Sequence, residues 1–199
     1  MTETDALYQH GYGRLERDRE RAIVRYRRRL PHPPQKVWRA LTEPEHLAAW
    51  FPTTIDGERG AGARLVFRFT DINLPPMDGE LLVFEPPVLL ELRWGPDLLR
   101  FELAPDSDGT ALTFTATMTE FGKAARDATG WHTSLDLLAC NLAGEAPSVA
   151  ASNRWREVNG TYVQRFGPEA SAIGPPQEWE QAQAGANVSR HADIPNRLR

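Results

Sequence analysis

From residue 53 to residue 118 apolar and polar side chains take turns along the chain, the period-two pattern of strands that bury one face. Leu65, Phe67 and Phe69 alternate with Arg64, Val66 and Arg68; Leu90, Leu92 and Trp94 oppose Glu91 and Arg93. Leu99, Phe101 and Leu103 form the next inward row. Leu112, Phe114, Ala116 and Met118 alternate with Thr113, Thr115 and Thr117. Pro75-Pro-Met-Asp-Gly79, Pro86-Pro87, Gly95-Pro-Asp97 and Asp106-Ser-Asp-Gly109 fall between these runs, the last a strong hairpin signal. One apolar and one polar face per strand predicts an antiparallel sheet with one wet side. Upstream, Ala22, Val24, Tyr26 and Leu30 share a face opposite Arg25, Arg27 and Arg29. This run reads as the second arm of a hairpin whose charged turn lies at 17–21.

The period changes elsewhere. Pro33 and Pro34 open a short helix with Val37, Trp38 and Leu41 on its apolar side. Thr42 and Glu45 read as N-cap and N3 of a capping box for a second short helix, which carries Leu47, Trp50 and Phe51 and stops at Pro52. A loop over 119–129 leads to a stripe of Trp131, Leu135, Leu138 and Leu142 at helical spacing. After a break at 144–147, Trp155, Asn159, Tyr162 and Phe166 form a second stripe that ends at Gly167. The predicted class is α+β: a curved antiparallel sheet around a long C-terminal helix, with two short helices after the first long strand. The domain spans 12–167, between a loose segment at 1–11 and a Gly/Pro/Gln/Ala-rich tail at 168–199 that reads as disordered or loosely docked.

Charge and composition narrow the chemistry. A net charge of −4 and a pI near 5.8 argue against nucleic acid or an anionic membrane as partner. No run approaches the roughly 20 apolar residues of a membrane span. The first residues have neither a basic region nor an apolar stretch of secretory type. Cys140 is the single cysteine, so no internal disulfide or multi-thiolate site can form, and the cytoplasm is the expected compartment. The five histidines (10, 32, 46, 132 and 191) show no ligand spacing, and no cofactor is expected. His132, at the head of the last helical stripe, is the best acid–base candidate, yet its i+4 neighbour Asp136 reads as an ion-pair partner and no nucleophile lies nearby. The arginines of 14–29 read as the solvent face of a hairpin. Cys140 lies on the Leu137 side of its helix, under cover of the segment after Gly144 or of the tail.

The run from Pro33 to Pro52, Pro-Pro-Gln-Lys-Val-Trp-Arg-Ala-Leu-Thr-Glu-Pro-Glu-His-Leu-Ala-Ala-Trp-Phe-Pro, resembles the opening motif of the SRPBCC superfamily. It is most similar to the branch related to the C-terminal domain of the activator of the ninety-kilodalton heat-shock protein ATPase. Asp78-Gly-Glu80, Glu85-Pro-Pro87, Gly109-Thr-Ala-Leu-Thr-Phe114 and Gly130-Trp-His132 follow that branch in order and spacing. The resemblance covers 12–167 and implies a helix-grip (START-like) fold with no shared catalytic residues. That branch's namesake has a separate N-terminal client-binding domain, where here a short segment precedes the fold. In such folds the space between sheet and helix holds hydrophobic ligands. Its lining here is expected from Trp50, Phe67, Phe69, Trp94, Phe101, Phe114, Trp131, His132, Leu135 and Tyr162. Whether these rings fill the space or leave a pocket stays open. The expected function is a non-catalytic domain, monomer or homodimer, that binds a small apolar molecule or a chaperone-type protein beside the final helix. The alternatives are a co-chaperone-like accessory of a heat-shock ATPase and a polyketide cyclase- or hydrolase-like enzyme using the same cavity.

Overall fold

Among the described residues eight strands realise the alternation. In chain order they are β1 (Arg14–Asp18), β2 (Arg21–Leu30), β3 (Thr53–Asp56), β4 (Arg64–Phe69), β5 (Met77–Glu85), β6 (Leu89–Trp94), β7 (Asp97–Asp106) and β8 (Gly109–Met118). They form one antiparallel sheet in the order β1-β2-β8-β7-β6-β5-β4-β3. The computed structural model describes residues 11–69 and 73–175. The segment expected to be loose at 1–11, apart from Gly11, and the tail beyond 175 lie outside them. Register follows the inward rows: Tyr26 pairs Phe114, which pairs Phe101, which pairs Leu90. All four are at most 4% exposed. Asp106 pairs Gly109 in the hairpin expected there, across a two-residue turn with Ser107 at a φ of 53°.

Gly79 has a steric reason. A Cβ there would run into the Arg93 carbonyl and the Phe67 ring, so β5 can lie this close to β6 only without a side chain.

Two short helices, α1 (Pro34–Thr42) and α2 (Pro44–Leu47), cross from β2 to β3. The expected capping box is not formed. Thr42 belongs to α1 and its hydroxyl donates back to the Trp38 carbonyl at 2.8 Å. Glu43 is the N-cap of α2, at a ψ of 132°, because a residue before proline avoids the helical region.

The sheet curves around α3 (Ala124–Ala143), whose Trp131, Leu135, Leu138 and Leu142 point into the core. This helix starts seven residues before Trp131, the head of the stripe. Ala124, Ala125 and Ala128 are fully buried at its head, and the Thr129 hydroxyl returns to the Ala125 carbonyl at 2.7 Å. Gly144 closes it in the left-handed conformation, φ 70°. A second helix, α4 (Ala151–Phe166), packs along α3 with Val158 and Tyr162 fully buried. Residues 168–175, assigned by sequence to the tail, are docked. Ala170 is fully buried, and the Ile173 N–H donates to the Gly122 carbonyl at 3.0 Å.

Candidate functional site

A cleft of about 390 Å³ opens between the β4–β5 and β6–β7 ends of the sheet and the two C-terminal helices. Its walls are apolar: Phe69, Met77 and Trp94 from the sheet, Trp131 and Gly130 from α3, Trp155 from α4, with Pro175 at the rim. Trp94 and Trp131 meet edge to face at 5.3 Å, and Phe69 meets Trp94 at 6.3 Å. Successive turns of α3 supply Asp127, Gly130, Trp131 and Ser134, spacing that puts them on one helix face.

Where α3 begins, the cleft is charged. Lys123, just before the helix, donates to Asp97 Oδ2 at 2.7 Å, and Asp97 Oδ1 accepts the Thr119 backbone N–H at 3.0 Å. Lys123 Nζ stands 3.7 Å from Asp127 Oδ2, while Arg126 Nε donates to Asp127 Oδ1 at 2.6 Å. The Asp97 side chain is 5% exposed and that of Lys123 10%, so the desolvation each suffers is offset by the other. Burial pushes the Asp127 carboxyl above its usual range, against the pull of Arg126 and Lys123. Its place in the first turn of α3 favours its ionised form.

Residues 31–143 match the family described as Activator of Hsp90 ATPase homolog 1-like protein. The chain belongs to that family. Among solved structures it resembles the conserved protein of unknown function EF2215 from Enterococcus faecalis, at 20% identity and a TM-score of 0.67, over 81% of this chain and 95% of that one. CalU16 from Micromonospora echinospora is 24% identical with a TM-score of 0.65, over 78% and 98%. The protein encoded by gene BPP1335 of Bordetella parapertussis is 28% identical with a TM-score of 0.61, over 78% and 90%. Among curated proteins none matches the chain. The fold is thus the START-like helix grip of this superfamily. No helix among the described residues is long and apolar enough to cross a membrane.

Of the ten lining residues expected from sequence, this Activator-of-Hsp90-ATPase-like domain brings Phe69, Trp94 and Trp131 to the cleft. Trp50, Phe67, Phe101, Phe114 and Leu135 are at most 3% exposed and fill the core behind it. His132 and Tyr162 belong elsewhere. One residue past Trp131, His132 turns about 100° around α3 and sits 1% exposed against α4. Its Nδ1 lies 3.1 Å from the Tyr162 hydroxyl, and its Nε2 lies 3.3 Å from Arg154 and 3.5 Å from Asp136 Oδ2. A guanidinium can only donate, so Nε2 accepts from Arg154 and Nδ1–H donates to Tyr162. The Tyr162 oxygen also accepts the Gly13 N–H at 2.8 Å. Burial lowers the His132 pKa to about 3, helped by Arg28, Arg154 and Arg165. The expectation that His132 lines the cavity is therefore corrected, while its expected pairing with Asp136 is present: both ring nitrogens are occupied in a packed polar cluster.

Two groups escaped the sequence reading. Arg28 stands on the inward row of β2 between Tyr26 and Leu30, and the alternation itself points there. Its side chain is 12% exposed, donates to the Gly11 carbonyl and lies 3.7 Å from Asp136. The Asp97–Lys123 pair left no local signal, because its members lie 26 residues apart. The other candidates fall as the residues suggested. Arg25 pairs with Glu16, Arg17 with Glu169 and Arg29 with Asp106. Cys140 is half-buried beside Leu137 and the 147–149 segment, in a hollow of about 100 Å³. Glu43, Glu45 and His46 approach within 4.8 Å on α2, but Glu43 is engaged by Arg39 at 2.8 Å.

Proposed function

We propose that this START-like domain binds a small hydrophobic molecule in the cleft between the sheet and helices α3 and α4. The observation that carries the reading is the cleft itself: about 390 Å³ walled by Trp94, Trp131 and Trp155. That volume is within the range of ligand sites, roughly 300–1,000 Å³. Aromatic walls reward a flat apolar guest through both area and ring–ring geometry. The four charges beside them compensate one another, which suits an uncharged guest.

Gly130 supplies the test. A Cβ there meets nothing within 4 Å, so a larger side chain enters open space at the cleft. Gly130→Leu should fold at least as well, since leucine favours a helix over glycine by up to about 1 kcal/mol. It should weaken binding of 2-methylnaphthalene at least tenfold, followed through the indole N–H resonances. Equal binding by parent and variant, or none by the parent at its solubility limit, refutes the reading.

A further inference from the structure

The charged end of the cleft says more about the guest than its apolar walls do. Lys123 Nζ has three hydrogens, and one is engaged by Asp97 Oδ2 at 2.7 Å. Its second acidic neighbour, Asp127 Oδ2, is 3.7 Å away, beyond hydrogen-bond reach for a donor and acceptor of this kind. The other Asp127 oxygen is taken by Arg126. Side by side in the cleft, then, stand an ammonium with donor capacity in hand and a carboxylate oxygen with acceptor capacity in hand. Neither is drawn far into water: the Lys123 side chain is 10% exposed and that of Asp127 16%.

We infer that the cleft is built for a neutral planar aromatic alcohol, a phenol, whose hydroxyl bridges Lys123 Nζ and Asp127 Oδ2 while its rings lie against Trp94 and Trp131. A hydroxyl fits because it both accepts and donates. An ether oxygen would serve Lys123 and leave Asp127 unserved. An anion would crowd two carboxylates, and a cation would crowd Lys123 and Arg126. Hydrogen bonds to charged partners are worth about 1.5–3 kcal/mol, so the hydroxyl should tighten binding roughly tenfold to a hundredfold over an isostere without it. The partly desolvated state of Asp127, which raises its carboxyl pKa, also makes an unserved acceptor there costly.

This inference rests on the ligand-binding reading above, and the two can fail separately. Dissociation constants of 2-naphthol, 2-methylnaphthalene and 2-methoxynaphthalene are measured on the full chain near pH 7 by titration calorimetry or indole resonances. The expected order is naphthol at least tenfold tighter than both others. Within Asp127→Asn the affinities of 2-naphthol and 2-methylnaphthalene should differ by no more than a few-fold, so that most of that advantage is erased. Three equal affinities, or a methoxy compound as tight as the naphthol, overturn the phenol inference and leave the apolar reading standing. An Asp127→Asn variant that keeps the full naphthol advantage overturns it as well. No binding by any of the three sinks both.

Discussion

Lowering the pH should expose the cost of the buried His132. In the unfolded chain this imidazole titrates near 6.5, whereas in the fold its pKa is about 3. Between those values the unfolded state takes up a proton that the native state refuses. Stability contributed by the neutral ring is present above pH 6.5 and is lost as pH falls towards 3, by about 1.4 kcal/mol per unit. At pH 4.5 the loss reaches about 2.5 kcal/mol. The refusal has a structural origin: Arg28 reaches in from β2, Arg154 and Arg165 from α4, and the compensating Asp136 is shared with Arg154 at 2.8 Å. Asp127 acts in the opposite direction, since a raised carboxyl pKa makes the native state the better proton acceptor. A difference measurement removes that contribution. Urea unfolding of parent and His132→Gln, read by tryptophan fluorescence from pH 7 to 4.5, should show the parent losing about 2–3 kcal/mol more than the variant. Parallel pH profiles would show that His132 is solvated or charged in the native state, and would refute the arrangement described for it.

Trp131→Ala should destabilise by about 3–5 kcal/mol, the range for truncating a buried aromatic. Trp131 is 5% exposed and packs on Phe51, Trp94 and Phe114, so a thermal midpoint within a degree or two of the parent contradicts that packing. Tyr162→Phe removes the acceptor of the Gly13 N–H and the partner of His132, at a cost of about 1–3 kcal/mol. Unchanged stability in urea would mean that these groups find other partners.

What the residues determined alone was which side of each element faces in. A strand repeats every two residues and a helix every 3.6, so a strong apolar row declares its buried face without knowledge of a partner. Hence Leu65 and Phe67, Phe101 and Phe114, and Trp131, Leu135, Leu138 and Leu142 stand where their spacing placed them. The family motifs from Pro33 to His132 carried the fold for the same reason, since they mark turns and faces. Where one inward row meets another was settled only by tertiary structure. The sheet's end and α3 stand apart enough at Trp94 and Trp131 to leave a cleft, while Phe101 and Phe114 stack at 4.5 Å and leave none between them. The same holds for charge. Arg28 is tolerated on an inward row because Gly11 and Asp136, far away in sequence, come to it. Lys123 and Asp97 are each a poor burial risk alone, and become buried because a helix start and a strand start are brought within 2.7 Å. Periodicity is a property of one element, whereas a cavity or a buried ion pair belongs to the space between elements.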